Sequence, residues 1–241
     1  MALSPIAYPA NPEVILDRRA QILISLLDMD DGFAQIPVRS IKAQTLDALL
    51  RLYDELFFEN RLCRAYGELT VTLSSRLISA AGKFVYAKAA SKRLGKAEIR
   101  MSSDFLTRLE YGPFSLNGLT AATPQEAFLF VFEHELCHAL ETAAFGSTGH
   151  SARFLQLANR FFGHTTTTHS LPTRKAEAAQ NGIRVGMRVS FLYQGRTFAG
   201  TITYIGKTAT VMVQSATGEY CDARGRRYTK YRVPLNQLII K

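Results

Sequence analysis

The chain has 241 residues, 47% apolar and 20% charged, with a net charge of +9, a balance expected of a globular protein of one large or two smaller domains. Its longest apolar runs, 22–27 (broken by Ser25) and 127–132, are too short to cross a bilayer. No signal-peptide pattern opens the chain, and three widely spaced cysteines (Cys63, Cys137, Cys221) predict neither a disulfide framework nor a zinc ribbon. The expectation is a cytoplasmic protein, nucleoid-associated if bacterial, with no membrane partner.

In chain order, residues 1–12 carry Pro5, Pro9 and Pro12 and read as an extended arm. Apolar residues at helical spacing (Val14, Ile15, Ile22, Leu26) predict a packing or regulatory helix over 13–29. A second helix, 41–57, follows Ser40, with Leu46, Leu49, Leu50, Tyr53 and Leu56 along one side, and 59–62 reads as a polar turn. The alternation L-T-V-T-L at 69–73 predicts a strand, and 83–88 and 97–101 two more. The loop with Lys88, Lys92, Arg93 and Lys96 reads as a solvated hairpin tip. Residues 102–110 read as a short helix and 111–120 as a loop. The strand at 97–103 is expected to present an edge on which an extended peptide could pair.

Thr123, Pro124 and Glu126 form a capping signature, and Gly146 is placed to end the helix that follows. Within it His134, Glu135 and His138 spell H-E-x-x-H. Histidines four apart project from one helical face and can hold zinc, with the glutamate beside them as general base. Cys137 points off that face and reads as a small core residue. A catalytic zinc needs a third protein ligand and an open position. Between Thr142 and Ala176 there is no Asp, Glu or Cys, so a downstream ligand is His150, His164 or His169. His150 precedes Ser151, a cap for a helix over 152–162, and is favoured because it could swing back toward the first helix. Glu141, one turn beyond His138, is its main competitor. The metzincin pattern is excluded, because Glu141 and Ala144 stand where it requires Gly and His.

An ordered series of segments resembles the SprT-like family, which includes the Spartan proteases: E-L-F-F-E-N-R-L (55–62), S-S-R-L-I-S-A-A-G (74–82), I-R-M-S (99–102), H-E-L-C-H-A (134–139) and G-H-S-A-R-F (149–154). The resemblance covers about 41–170. It implies zinc held by His134, His138 and His150, Glu135 as catalytic base, and proteolysis of proteins crosslinked to or bound on DNA. G-H-T-T-T-T-H (163–169) is similar to the family segment leading into a C-terminal zinc ribbon, but the ribbon's cysteines are absent. His164 and His169 are left with packing or surface roles.

Residues 165–181 read as a polar linker, with a helical turn at 175–180. The pattern then changes to five short strands (185–193, 196–205, 209–214, 227–233, 238–240) punctuated by glycines. This predicts a small closed barrel, and G-x-R-V-x-F with G-x-x-x-x-G-x-I resembles SH3-like barrels of the Tudor and KOW kind. Residues 183–241 carry ten Lys/Arg against Glu219 and Asp222, a net +8, which leaves +1 for everything before. Basic side chains interleaved with tyrosines suit nucleic acid, the charges meeting phosphates and the rings stacking on bases. The densest run gives Arg224, Arg226, Arg227, Tyr228, Lys230, Tyr231 and Arg232 as candidate contacts.

The expectation is therefore an α+β, zincin-like SprT domain (41–170) after an N-terminal arm and helix (1–40). A linker (171–182) and a basic SH3-like barrel (183–241) follow. The expected activity is zinc-dependent endoproteolysis of nucleic-acid-associated proteins, with DNA and a protein or peptide substrate as partners. The alternatives are a non-catalytic nucleic-acid binder with structural zinc, or a metallopeptidase whose barrel binds protein.

Overall fold

The computed structural model describes residues 11–87, 94–168, 171 and 173–240. The chain divides into two compact units, Met1–Leu171 and Pro172–Lys241.

The first unit opens with α1 (Pro12–Met29), whose N-cap Asn11 accepts the Glu13 amide. Ile15, Ile22 and Leu26 of α1 are buried in the core of this unit. After α2 (Asp31–Ala34) comes α3 (Ala43–Phe58), which packs against α1. Where a polar turn was expected, α3 ends with Glu59 and Asn60 at positive φ and a short α4 (Leu62–Ala65) follows. Buried Asp54 accepts the Leu62 and Cys63 amides, which fixes that corner.

Three strands form the sheet: β1 (Tyr66–Ser74), β2 (Gly82–Tyr86) and β3 (Leu94–Ser102), in the order β1-β3-β2. β1 and β3 run parallel, and β2 is antiparallel to β3. This overturns the expectation of an edge at 97–103. β3 has neighbours on both sides, and among the described residues β1 and β2 are the two edges. The predicted helix at 102–110 shrinks to α5 (Ser103–Leu106). The expected loop at 111–120 contains a hairpin, β4 (Phe114–Leu116) and β5 (Leu119–Ala121). Its turn is Asn117-Gly118, both at positive φ, the pair that a two-residue hairpin turn demands. The tip is locked in place because Asn117 Nδ2 donates to the Phe130 carbonyl of the next helix.

That helix, α6 (Pro124–Phe145), has its full capping box, and Gly146 closes it in the left-handed conformation. It is buried on nearly every side, packing on β2, β3 and the antiparallel α7 (Ala152–Phe162). A buried polar cluster ties it to α1 and α3. Glu133 of α6 accepts Arg19 Nε at 2.8 Å and Nη2 at 2.9 Å, Tyr53 Oη at 2.8 Å, and faces His164 Nε2 at 2.9 Å. Burial pushes the Glu133 carboxyl up, but Arg19 and His164 outweigh it and hold the group ionised. His164 is thus a core polar residue. His169 and most of the lysine-rich loop (88–93) lie outside the described residues.

The second unit starts with α8 (Arg174–Gln180), where a helical turn was expected at 175–180. Then come β6 (Arg188–Tyr193), β7 (Arg196–Ile205), β8 (Thr208–Gln214), a short β9 (Tyr220–Cys221), β10 (Arg227–Pro234), a 3-10 turn (Leu235–Gln237) and β11 (Ile239–Ile240). They form one antiparallel sheet, ordered β11-β6-β7-β8-β10-β9, with its own core of Val189, Phe191, Ile202, Val211 and Val233. All five predicted strands are present, and Ala178 of α8 joins their core.

Two stability predictions follow from the buried charges. Arg19→Met leaves Glu133 inside without its guanidinium and should cost about 3–5 kcal/mol in a denaturant titration, far more than an exposed arginine would. Buried Asp30 accepts the Gly32 and Lys42 amides and the Thr45 hydroxyl. Burial pushes its carboxyl up, but these bonds prevail and hold it below the ordinary 3.8. Its stabilisation is therefore complete above that value and lost as pH falls through the lower folded-state one. The acid limb of the pH–stability curve should be shallower in Asp30→Asn.

Candidate metal centre

His134 and His138 lie one helical turn apart on the cleft-facing side of α6, with ring centroids 5.0 Å apart. The chain leaves α6 at Gly146, crosses three residues and delivers His150 back onto the same spot. His134 Nε2 and His150 Nε2 are 2.9 Å apart, and the centroid of His150 is 4.9 Å from that of His138. One ligand nitrogen from each of the three lies within 4.8 Å of the others. Phe154, fully buried on the first turn of α7, supplies the floor: its ring lies 4.5–5.2 Å from all three imidazoles. Phe154 was legible only as the last letter of G-H-S-A-R-F.

Two imidazole nitrogens 2.9 Å apart either share a proton or share a metal. Three nitrogens around a tetrahedral zinc, each about 2.0–2.1 Å from it, would be about 3.3 Å apart, a spacing that falls between the 2.9 Å of one pair and the 4.8 Å that bounds the set. Burial, then the nearby charge of His150, lowers the His138 pKa to about 4, with Glu141 acting in the opposite sense. His138 is therefore neutral at physiological pH, the form that ligates. The donor set thus fits a divalent, nitrogen-preferring metal such as zinc.

Glu135 lies beside this trio, 6% exposed. Burial raises its pKa to about 7, opposed by a hydrogen bond from the Phe84 amide of β2. The approach of α6 to β2 depends on Gly82. A Cβ there would stand 2.7 Å from Glu135 Cγ and 2.9 Å from Val131 Cγ1. The cleft over the three histidines, about 360 Å³, is walled by Ala80–Phe84 on one side and by Leu116, Asn117 and Thr167 on another. Glu135 faces it together with the three histidines.

The two competitors for third ligand are placed elsewhere. His164 is in the Glu133 pair. Glu141 is fully buried and turns toward the 147–153 segment, accepting the Gly149 amide at 3.0 Å and Arg153 Nε at 2.9 Å. Cys137 is buried in the core, and burial first, with Glu133, Glu135 and Glu141 adding, drives its thiol pKa well up.

In the second unit the R-G-R-R-Y-T-K-Y-R run is organised first by Asp222. Its carboxylate accepts the Arg224 and Arg226 amides, Arg226 Nε at 2.7 Å and Tyr228 Oη at 3.1 Å. Arg227 Nε donates to the Gly218 carbonyl, and Tyr231 packs on Phe191, Tyr193 and Phe198. Lys230 lies over the Tyr220 ring at 4.7 Å. Strand pairing puts Arg188, Thr201, Met212 and Lys230 in one row across the sheet, and Tyr204, Thr210 and Arg232 in the next. Arg188, Lys230, Arg232 and Tyr204 are all exposed on that shared face.

Comparison with protein families matches residues 46–175, more than half of the chain, to the SprT-like family. Comparison with curated proteins and with solved structures finds no match. The matched span contains the three histidines, Glu135, β2 and Phe154, all of which meet at one cleft. With that geometry and that match together, this chain belongs to the SprT-like family.

Proposed function

We propose that the first unit is a zinc-dependent endopeptidase whose metal is held by His134, His138 and His150. The observation that carries this reading is the convergence of three imidazoles in an open cleft with a nearly buried carboxylate beside them. A structural zinc site would be closed by a fourth side chain and would have no use for such a carboxylate. When bound, zinc would supply Lewis acidity toward a carbonyl and lower the pKa of a water to about 7. Glu135 acts as general base, taking the water's proton on a carboxylate oxygen and delivering it to the leaving amine. A pKa near 7 suits both halves of that transfer. The free edge of β2 borders the cleft, so an extended peptide pairing there would be led past Glu135. The substrate class is therefore an unfolded or extended protein segment.

For the second unit the reading is an SH3-like barrel that binds DNA. The return of β11 to pair with β6 after a 3-10 turn supports the barrel. The net charge of +8 supports a polyanionic partner, since each neutralised phosphate releases condensed counterions. Because Arg226, Arg227, Tyr228 and Tyr231 are engaged within the unit, the interface moves to the exposed sheet face carrying Arg188, Lys230 and Arg232. Tyr204 offers the stacking ring.

Glu135→Gln should retain one equivalent of zinc and lose peptide cleavage by several orders of magnitude, assayed on an unfolded protein with and without DNA. Undiminished turnover in that variant contradicts the mechanism. Gly82→Ala should displace Glu135 and lower kcat at least tenfold while zinc content stays at wild-type level. Charge reversal at Arg188, Lys230 or Arg232 should weaken DNA binding and lessen its salt dependence by about one counterion per lost phosphate contact. Arg226→Ala, by contrast, should act mainly on thermal stability.

A further inference from the structure

Glu141 belongs neither to the H-E-x-x-H motif nor to the ligand trio, yet it is fully buried one turn beyond His138. Every partner it has comes from the segment that carries His150. Gly149, immediately before that histidine, donates its amide at 3.0 Å, and Arg153 donates Nε at 2.9 Å. Ser151 Oγ stands 3.4 Å away. The Thr148 hydroxyl lies beside Glu141 and helps to hold its carboxyl down, and its oxygen is 2.7 Å from His138 Nδ1.

Thr148 stands between the two groups, and its one hydroxyl proton decides the state of His138. An ionised carboxylate only accepts, so Glu141 favours the Thr148 rotamer that directs this proton toward the carboxylate. The Thr148 oxygen is then an acceptor, and His138 Nδ1 must carry the hydrogen that it receives. Neutral imidazole has one N–H, so Nε2 retains its lone pair and is the ligating nitrogen. We propose that Glu141 is the positioning residue of the metal centre. Through Thr148 it selects which nitrogen of His138 is free, and through Gly149 and Arg153 it fixes where His150 stands.

The inference rests on the metal reading above and adds to it a device lying wholly outside the ligands. Outer partners of metal-bound histidines typically change metal affinity by 10–100-fold. The test uses the full chain with Zn²⁺ alone, its affinity measured by competition with a chromophoric chelator. Glu141→Gln should bind zinc 10–100-fold more weakly than wild type. Thr148→Val should also weaken binding, Thr148→Ser should restore it, and Thr148→Val added to Glu141→Gln should change little, because both act on one chain of bonds. Imidazole ¹H–¹⁵N correlation spectra of the zinc-free chain supply a readout that a merely structural role would not move. His138 should be protonated at Nδ1 in wild type and Thr148→Ser, and a tautomer mixture in Thr148→Val. If Glu141→Gln does not fold, the Thr148 pair and the tautomer spectra carry the test alone. Zinc bound by wild type with an affinity unmoved by these variants overturns this inference while leaving the metal reading intact. A folded wild-type chain that binds no zinc overturns the metal reading itself.

Discussion

The constraint on which the structure depends is that α6 must be buried and must still hold polar chemistry. A helix apolar from Ala127 to Phe132 is driven into the core on nearly every side, and the sheet, α7 and the β4–β5 hairpin close around it. Only one stripe, that of His134 and His138, is left facing a cleft. A spacing of four residues on a helix then does the positioning: two imidazoles stand one above the other, and the chain needs only the short return from Gly146 to bring in a third. Rigidity of the ligand set is thus inherited from the core. Capping at Thr123, the bond from Asn117 Nδ2 and the packing of Phe154 each hold the helix or its ligands against displacement.

The three buried glutamates of this helix meet two electrostatic fates. Glu133 meets Arg19, Tyr53 and His164 and stays ionised although it is fully buried. Glu141 meets backbone and side-chain donors of the segment that follows the helix and also stays ionised. Glu135 has only the Phe84 amide to offset its burial, and its pKa rises to about 7. Two are satisfied and immobile; the third is poised to exchange a proton. Environments that push like groups apart in this way assign acid–base roles.

Much of this was legible in the sequence because it is local. The capping box, the helical spacing of the histidines, the Ser151 cap after His150 and the alternation of the barrel-like strands are all short-range patterns. The Asn117-Gly118 hairpin was equally local, and its turn signal was written in the sequence though passed over as loop. What escaped was long-range. Nothing near residues 97–103 reveals that β3 lies between β1 and β2, because strand order is decided by a parallel pairing across some 28 residues. Arg19 and Glu133 are 114 residues apart, so their pairing has no sequence signature. Glu141 looked like a ligand because it shares the helical face of the histidines; only the course of the next loop turns it into a support. In the second unit the density of arginines pointed to a run of which Arg226, Arg227 and Tyr228 are occupied by Asp222 and Gly218, while Lys230 and Arg232 stay exposed.

The account stands on the coordination of one ion, and X-ray absorption at the zinc K-edge of the zinc-loaded full chain measures it directly. The predicted result is three imidazole nitrogens at about 2.0–2.1 Å with a light-atom ligand from solvent completing the shell. A shell containing sulfur, or one closed by four protein side chains, would contradict an open catalytic site in this cleft.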